Sequence, residues 1–71
     1  MKNIKLLRVT NDLTQLNVQI ETGIDQSILS KYERGEYMPT TENLLILAKF
    51  YNTSLDYLMD LTNEKNPYPK K

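Results

Sequence analysis

TQLNVQIETGIDQSILSKYERG, residues 14–35, decides how the chain folds. A single glycine, Gly23, divides it into two stretches. Each opens on a side chain suited to take up the free amides of a helix's first turn, Thr14 and Asp25. Glycine tolerates the positive φ at which a helix stops and the chain turns. The stretch therefore predicts a helix from Thr14 to Gly23 and a turn of roughly three residues around Gly23-Ile24. A further helix follows, from Gln26 to about Glu33, closed by Gly35.

The same signals continue on both sides. A first helix is expected from about Asn3 to Thr10, with Ile4, Leu7 and Leu6 inward. It ends at Asn11-Asp12, residue types that tolerate the left-handed conformation. Pro39-Thr40 opens a fourth helix, in which Leu44, Leu47, Ala48 and Tyr51 recur at the spacing of one buried stripe, and Asn52 ends it. Ser54 caps a short fifth helix carrying Leu55, Leu58 and Met59. No stretch alternates apolar and polar residues as a strand would, and no Asn-Gly or Asp-Gly hairpin turn occurs. From Thr62 the chain turns polar, with Pro67 and Pro69. The expected organisation is one domain over residues 1–61 and a polar C-terminal tail over residues 62–71.

Composition narrows the function. A chain of 71 residues is one small module, and 39% hydrophobic with 25% charged residues is an ordinary globular balance. No apolar run is long enough to span a bilayer or serve as a secretory signal, so a cytoplasmic protein with no membrane partner is expected. Without cysteine or histidine there is no disulfide, no thiolate or imidazole metal site and no Cys or Ser–His nucleophile. The reading is a non-enzyme with no cofactor, no metal and no small-molecule ligand. Nine Lys and Arg balance nine Asp and Glu, so an argument for a polyanionic partner must come from where the charges sit.

Five short helices with brief loops must cross at large angles to share a core, which makes the expected fold class all-α and compact rather than an up-down bundle. Within it, the second and third helices have the spacing of a helix-turn-helix. Several pieces accompany that pair in order. Ile4-Lys5-x-Leu7-Arg8 precedes Leu13-Thr14-Gln15, and Gly23-Ile24 sits at the turn. Ser30-Lys31-Tyr32-Glu33-Arg34-Gly35 follows, then Pro39-Thr40-x-x-x-Leu44 with Leu47-Ala48, and Ser54-Leu55-Asp56-x-Leu58. By these motifs the chain resembles the lambda-repressor and Cro-like helix-turn-helix family, also called the xenobiotic-response-element type, over about Ile4 to Met59. The resemblance implies a lambda-repressor-like DNA-binding domain whose third helix is the recognition helix.

That implication assigns roles. At the leading end of such a helix, Gln26 and Ser27 meet base edges in the major groove. A glutamine amide pairs with both N6 and N7 of adenine, worth about 1–3 kcal/mol in discrimination, while a serine hydroxyl donates or accepts and selects weakly. Ile28 either touches a thymine methyl or lies half-buried against the turn. Lys31 reaches guanine or phosphate, or is a solvated lysine on an outer face. Gln15 at the start of the second helix is the expected phosphate contact, helped by the helix N-terminal amides. Arg34, Tyr37 and Thr40 either touch the sugar–phosphate backbone or brace the loop. Arg8 and Glu33 are implied to pair across the first and third helices, and Leu29, Tyr32, Val18 and Ile24 to be core.

The chain departs from the family pattern at Gln19, where a small residue is common, and at Thr22, where an aliphatic one is. Helix two is therefore expected to pack less tightly on helix three, or to be rotated so that Leu13, Leu16, Ile20 and Ile24 form the buried stripe. Asp25 and Glu36 would repel phosphate and weaken binding by a single copy, although Asp25 as a cap contributes about 1 kcal/mol. A weak reader becomes specific as a dimer on a palindromic operator, and Ile46, Phe50, Tyr57 and Leu61 are the candidate interface. The tail is too short for an effector domain, so control by occupancy is expected. The function expected is a sequence-specific double-stranded DNA-binding transcriptional regulator of bacterial, plasmid or phage type, most simply a repressor. The alternative is an antitoxin-like or partner-binding module that keeps the fold with weak or no DNA binding.

Overall fold

Helix limits in this chain are set by caps, and at the starts of four of the five described helices the cap is local. In the computed structural model, which describes residues 1–66, Thr14 Oγ1 accepts from the Asn17 amide at 3.0 Å while Asn17 Oδ1 accepts from the Thr14 amide at 2.9 Å. This reciprocal pair starts α2, Gln15–Thr22, and Gly23 in the left-handed conformation (φ 78°) ends it. Asp25 starts α3, Gln26–Glu33, by accepting from the Ser27 amide. Thr40 starts α4, Thr41–Tyr51, which Asn52 ends at φ 52°, and Ser54 starts α5, Leu55–Leu58.

The first helix, α1, spans Lys2–Thr10, and no side chain at its own start caps it. Its cap comes from the far end of the fold. The Asp60 carboxylate, just past α5, accepts from the backbone amides of Lys2 at 3.0 Å and Asn3 at 2.9 Å. The buried Asn3 side chain returns the link by donating from Nδ2 to the Tyr57 carbonyl at 2.8 Å. The first and last helices are thus fastened by a polar strap as well as by packing. A negative charge at a helix N-terminus also complements the helix dipole.

One apolar core lies among the five helices: Ile4 and Leu7 from α1, Val18 from α2, Ile24 from the turn, Leu29 and Tyr32 from α3, Leu44 and Leu47 from α4, and Tyr57 and Leu58 from α5. The described residues are all helix and loop, with no strand. Three details differ from the sequence reading. Leu6 is 48% exposed, because the inward place on that side of α1 is taken by Asn3, whose amide is satisfied by Tyr57. Tyr57, expected at a dimer surface, is only 4% exposed and belongs to the core, whereas Leu55 and Met59 pack at its margin. Of the expected tail, Glu64 and Lys65 meet the turn before α5, where Ser54 Oγ donates to the Glu64 carbonyl and Thr53 Oγ1 to the Lys65 carbonyl. The prolines at 67 and 69 fall outside the described residues.

Candidate nucleic-acid interface

α3 lies on α2 and shares the core through Leu29 and Tyr32, which leaves its opposite side facing outward. At its leading end Gln15, Gln19, Asp25, Gln26, Ser27 and Ser30 line one open polar groove. The Gln26 side chain is exposed and makes no hydrogen bond among the described residues, so its amide is available to a ligand. Ser27 is exposed too, but its hydroxyl donates to Asp25 Oδ1 at 2.6 Å. The Ser27 hydroxyl and amide together hold the Asp25 carboxyl below its ordinary range. Ile28 is half-buried and packs at the margin of the core.

Behind the groove stands a tied cluster. Arg8 grips Glu33 with two donors, Nε to Oε2 at 2.7 Å and Nη2 to Oε1 at 3.0 Å, and reaches the Leu13 carbonyl with Nη1 at 2.9 Å. The pair is largely buried, Glu33 to 5% side-chain exposure, and the Glu33 bonds raise the Arg8 pKa. Gln15, which also lines the groove, joins it by donating from Nε2 to Glu33 Oε1 at 3.1 Å. Tyr51 lies beside the same charges. Burial, and then the Glu33 carboxylate, push its phenol up to about 12.

The far end of α3 carries the cations. Lys31 Nζ stands 4.6 Å from the centre of the exposed Tyr37 ring, a cation–π distance. Arg34 is ion-paired with Glu36 and also donates to Ser30, so its charge is partly offset before any ligand arrives. The same bond lowers the Glu36 pKa and raises that of Arg34. Thr40 is occupied as the cap of α4, where its Oγ1 accepts from the Asn43 amide at 3.1 Å.

The two departures at Gln19 and Thr22 do not loosen the motif. Gln19 Oε1 accepts from the Gln26 backbone amide at 2.7 Å, bonding α2 to the first turn of α3. Thr22 Oγ1 donates to the Val18 carbonyl at 2.7 Å and accepts from the Ile24 amide at 3.2 Å, bracing the turn itself. Polar bonds stand where the family pattern has a small residue and an aliphatic one, and the expected looser packing is not seen. Nor is α2 rotated to bury its other stripe: Leu16 is 50% and Ile20 70% exposed. Gln19 is the site residue that sequence reasoning missed, since nothing in local periodicity links it to an amide seven residues on. Of the expected dimer surface, Ile46 and Phe50 line a separate shallow groove with Glu21, Thr22 and Lys49, and Leu61 is exposed. No cluster of three or more acidic side chains that could hold a metal ion occurs among the described residues, and no helix there is long and apolar enough to cross a membrane.

A family model described as helix-turn-helix matches residues 4–58, which takes in all of α2, α3, α4 and α5 and most of α1. The chain is 45% identical over 53 residues to antitoxin PezA of Streptococcus pneumoniae, covering 75% of this chain and 34% of that protein. It is 37% identical over 67 residues to the HTH-type transcriptional regulator ImmR of Bacillus subtilis, covering 92% and 53%. To the uncharacterized HTH-type transcriptional regulator YobD of the same species it is 32% identical over 66 residues, covering 93% and 59%. The chain thus spans about a third of the first of these relatives and somewhat over half of the other two. No solved structure gives a significant match.

Proposed function

The chain belongs to the Cro/C1-type family of helix-turn-helix transcriptional regulators, and from that premise we propose that it is a repressor that reads a palindromic operator as a dimer, with α3 in the major groove. Residues 1–61 are the DNA-binding unit and residues 62–71 its tail. The observation that carries the reading is the exposed side-chain amide of Gln26 at the leading end of α3, without a hydrogen bond among the described residues and in one groove with Ser27 and Gln15. Gln26 pairs with adenine, and Lys31 reaches guanine or phosphate once it swings off Tyr37. Ile28 offers what it exposes to a thymine methyl. Gln15, Arg34, Tyr37 and Thr40 meet the backbone. Arg8 and Glu33 hold α1 to α3 without touching DNA.

Few of these groups carry free positive charge, and Asp25 and Glu36 carry negative charge, so one copy binds weakly and pairing supplies the affinity. With Tyr57 in the core, the surface for a second copy reduces to Leu61, Ile46 and Phe50. Repression is by occupancy of the promoter, in the cytoplasm of a bacterial cell.

A second reading is favoured by one observation. Leu16 and Ile20 form an exposed apolar pair on α2, and one relative is an antitoxin. On this reading the chain is a partner-binding module in which DNA contact is secondary. Titration of a labelled random duplex at rising salt separates the two. A DNA reader using Lys31 and Arg34 loses affinity with a log–log slope of roughly −2 per protomer, about −0.9 for each phosphate neutralised. Absence of binding even at low salt overturns the proposal in favour of the second reading.

A further inference from the structure

Serine in a recognition helix is an ambiguous reader, because its hydroxyl can turn to donate or to accept. In this chain the ambiguity is removed. Asp25 Oδ1 lies 2.6 Å from Ser27 Oγ and 2.8 Å from the Ser27 backbone nitrogen. An ionised carboxylate has no proton to give, so the hydroxyl proton must point at Asp25. The carboxyl is ionised at neutral pH, since the two Ser27 bonds lower its pKa. What the pair turns to the groove is therefore the remaining lone pairs of Ser27 Oγ together with Asp25 Oδ2, which accepts no hydrogen bond among the described residues. Both residues are exposed and line the same groove as Gln26.

We infer that Asp25 and Ser27 form one acceptor-only reading unit that selects a base offering an exocyclic amine in the major groove, cytosine above adenine, and rejects guanine and thymine. The inference rests on α3 being the recognition helix and deepens that reading. Cytosine presents N4–H2 as its only polar group there. Adenine sets its N6 amine beside the N7 acceptor, whereas guanine O6 and N7 and thymine O4 would meet these oxygens lone pair to lone pair. The acidic cap thus has a use at the end of α3 where it costs affinity for phosphate. It exchanges strength for choice. Asp25 positions the Ser27 proton and reads with its second oxygen.

The test is selection from random duplexes by the full chain and by Asp25→Asn, followed by binding titrations on operators carrying each base at the position concerned. Asparagine is an equally good helix cap, so α3 is retained. Its Nδ2 puts a donor where the second carboxylate oxygen stood, while Oδ1 still accepts from the Ser27 amide and hydroxyl. The wild-type chain is expected to prefer cytosine over guanine at one position per half-site by about tenfold, and Asp25→Asn to lose most of that ratio while the adenine facing Gln26 stays selected. Ser27→Ala, which leaves the Asp25 bond to the backbone amide, is expected to lower the ratio in part. If both variants select the same base as the wild type at every position, the acceptor unit is refuted while the recognition helix stands. If the wild type selects no sequence at all, the reading of α3 falls and this inference with it.

Discussion

The two ends of α3 are built on opposite plans. At its start, the Gln26 side chain is exposed and makes no hydrogen bond among the described residues, and among them the Ser27 hydroxyl bonds only to the aspartate two residues before it. At its end, the Tyr32 hydroxyl accepts from Asn43 Nδ2 at 2.8 Å, Glu33 is held by Arg8 and Gln15, and Arg34 by Glu36. Gln19 Oε1 also holds the Gln26 backbone amide, so the leading turn is fastened through its backbone while the Gln26 side chain is presented. Substitutions of Tyr32 and Glu33 should then act on folding, and those of Gln26 and Ser27 on choice of sequence.

The largest effect that can break this contrast is at Arg8. Arg8→Ala leaves the Glu33 carboxylate, 5% exposed, with only the Gln15 amide as partner. Removing one member of a buried pair costs about 3–5 kcal/mol, and the residual Gln15 bond puts the expectation near 3 in urea denaturation. Arg8→Met combined with Glu33→Leu should recover most of it, since no charge is then left buried. A loss below about 1 kcal/mol for Arg8→Ala would mean that the closing end is not what anchors α3.

Gln26→Ala sharpens the contrast from the other side. Stability should stay within about 0.5 kcal/mol of wild type, as for an exposed side chain without partners. Discrimination between operator and random duplex should fall by about 1–3 kcal/mol, with non-specific binding little changed. Equal losses in operator and random-duplex binding would place Gln26 on the backbone rather than on a base.

These two residues also mark what could be read from the sequence. The helix starts were legible because a cap is a local event: Thr14, Asp25 and Ser54 each bond an amide two or three residues away. The all-helical class followed from such starts and from the stripe of Leu44 and Leu47. What was hidden is non-local or polar. Asp60 caps a helix whose first amides lie 58 and 57 residues earlier, and no spacing rule spans that interval. Leu6 looked inward because apolar periodicity cannot anticipate that Asn3 is buried with its amide satisfied by Tyr57. At the site, residue types and order singled out Gln26 and Ser27, but the direction of the Ser27 proton depends on the Asp25 rotamer, and the use of Gln19 depends on how α2 meets α3.

The smallest expected effect lies where the anchored cluster meets solvent. Tyr51 has its phenol pushed from an ordinary 10.0 to about 12, chiefly by burial and secondarily by Glu33. A raised value for an acid means that the fold favours the protonated, neutral form. The contribution of this group is therefore complete below about pH 10 and is lost as pH rises from 10.0 through about 12, where the unfolded chain ionises first. Tyr51→Phe cannot ionise. The difference in melting temperature between wild type and Tyr51→Phe should stay constant from neutral pH to about 10 and then shift in favour of the variant. The shift should shrink slightly in the Arg8→Met, Glu33→Leu background, because the raising influence of Glu33 is lost together with the smaller, opposing one of Arg8. Parallel melting curves across the alkaline range would detach Tyr51 from the cluster and confine the anchor of α3 to Arg8, Gln15 and Glu33.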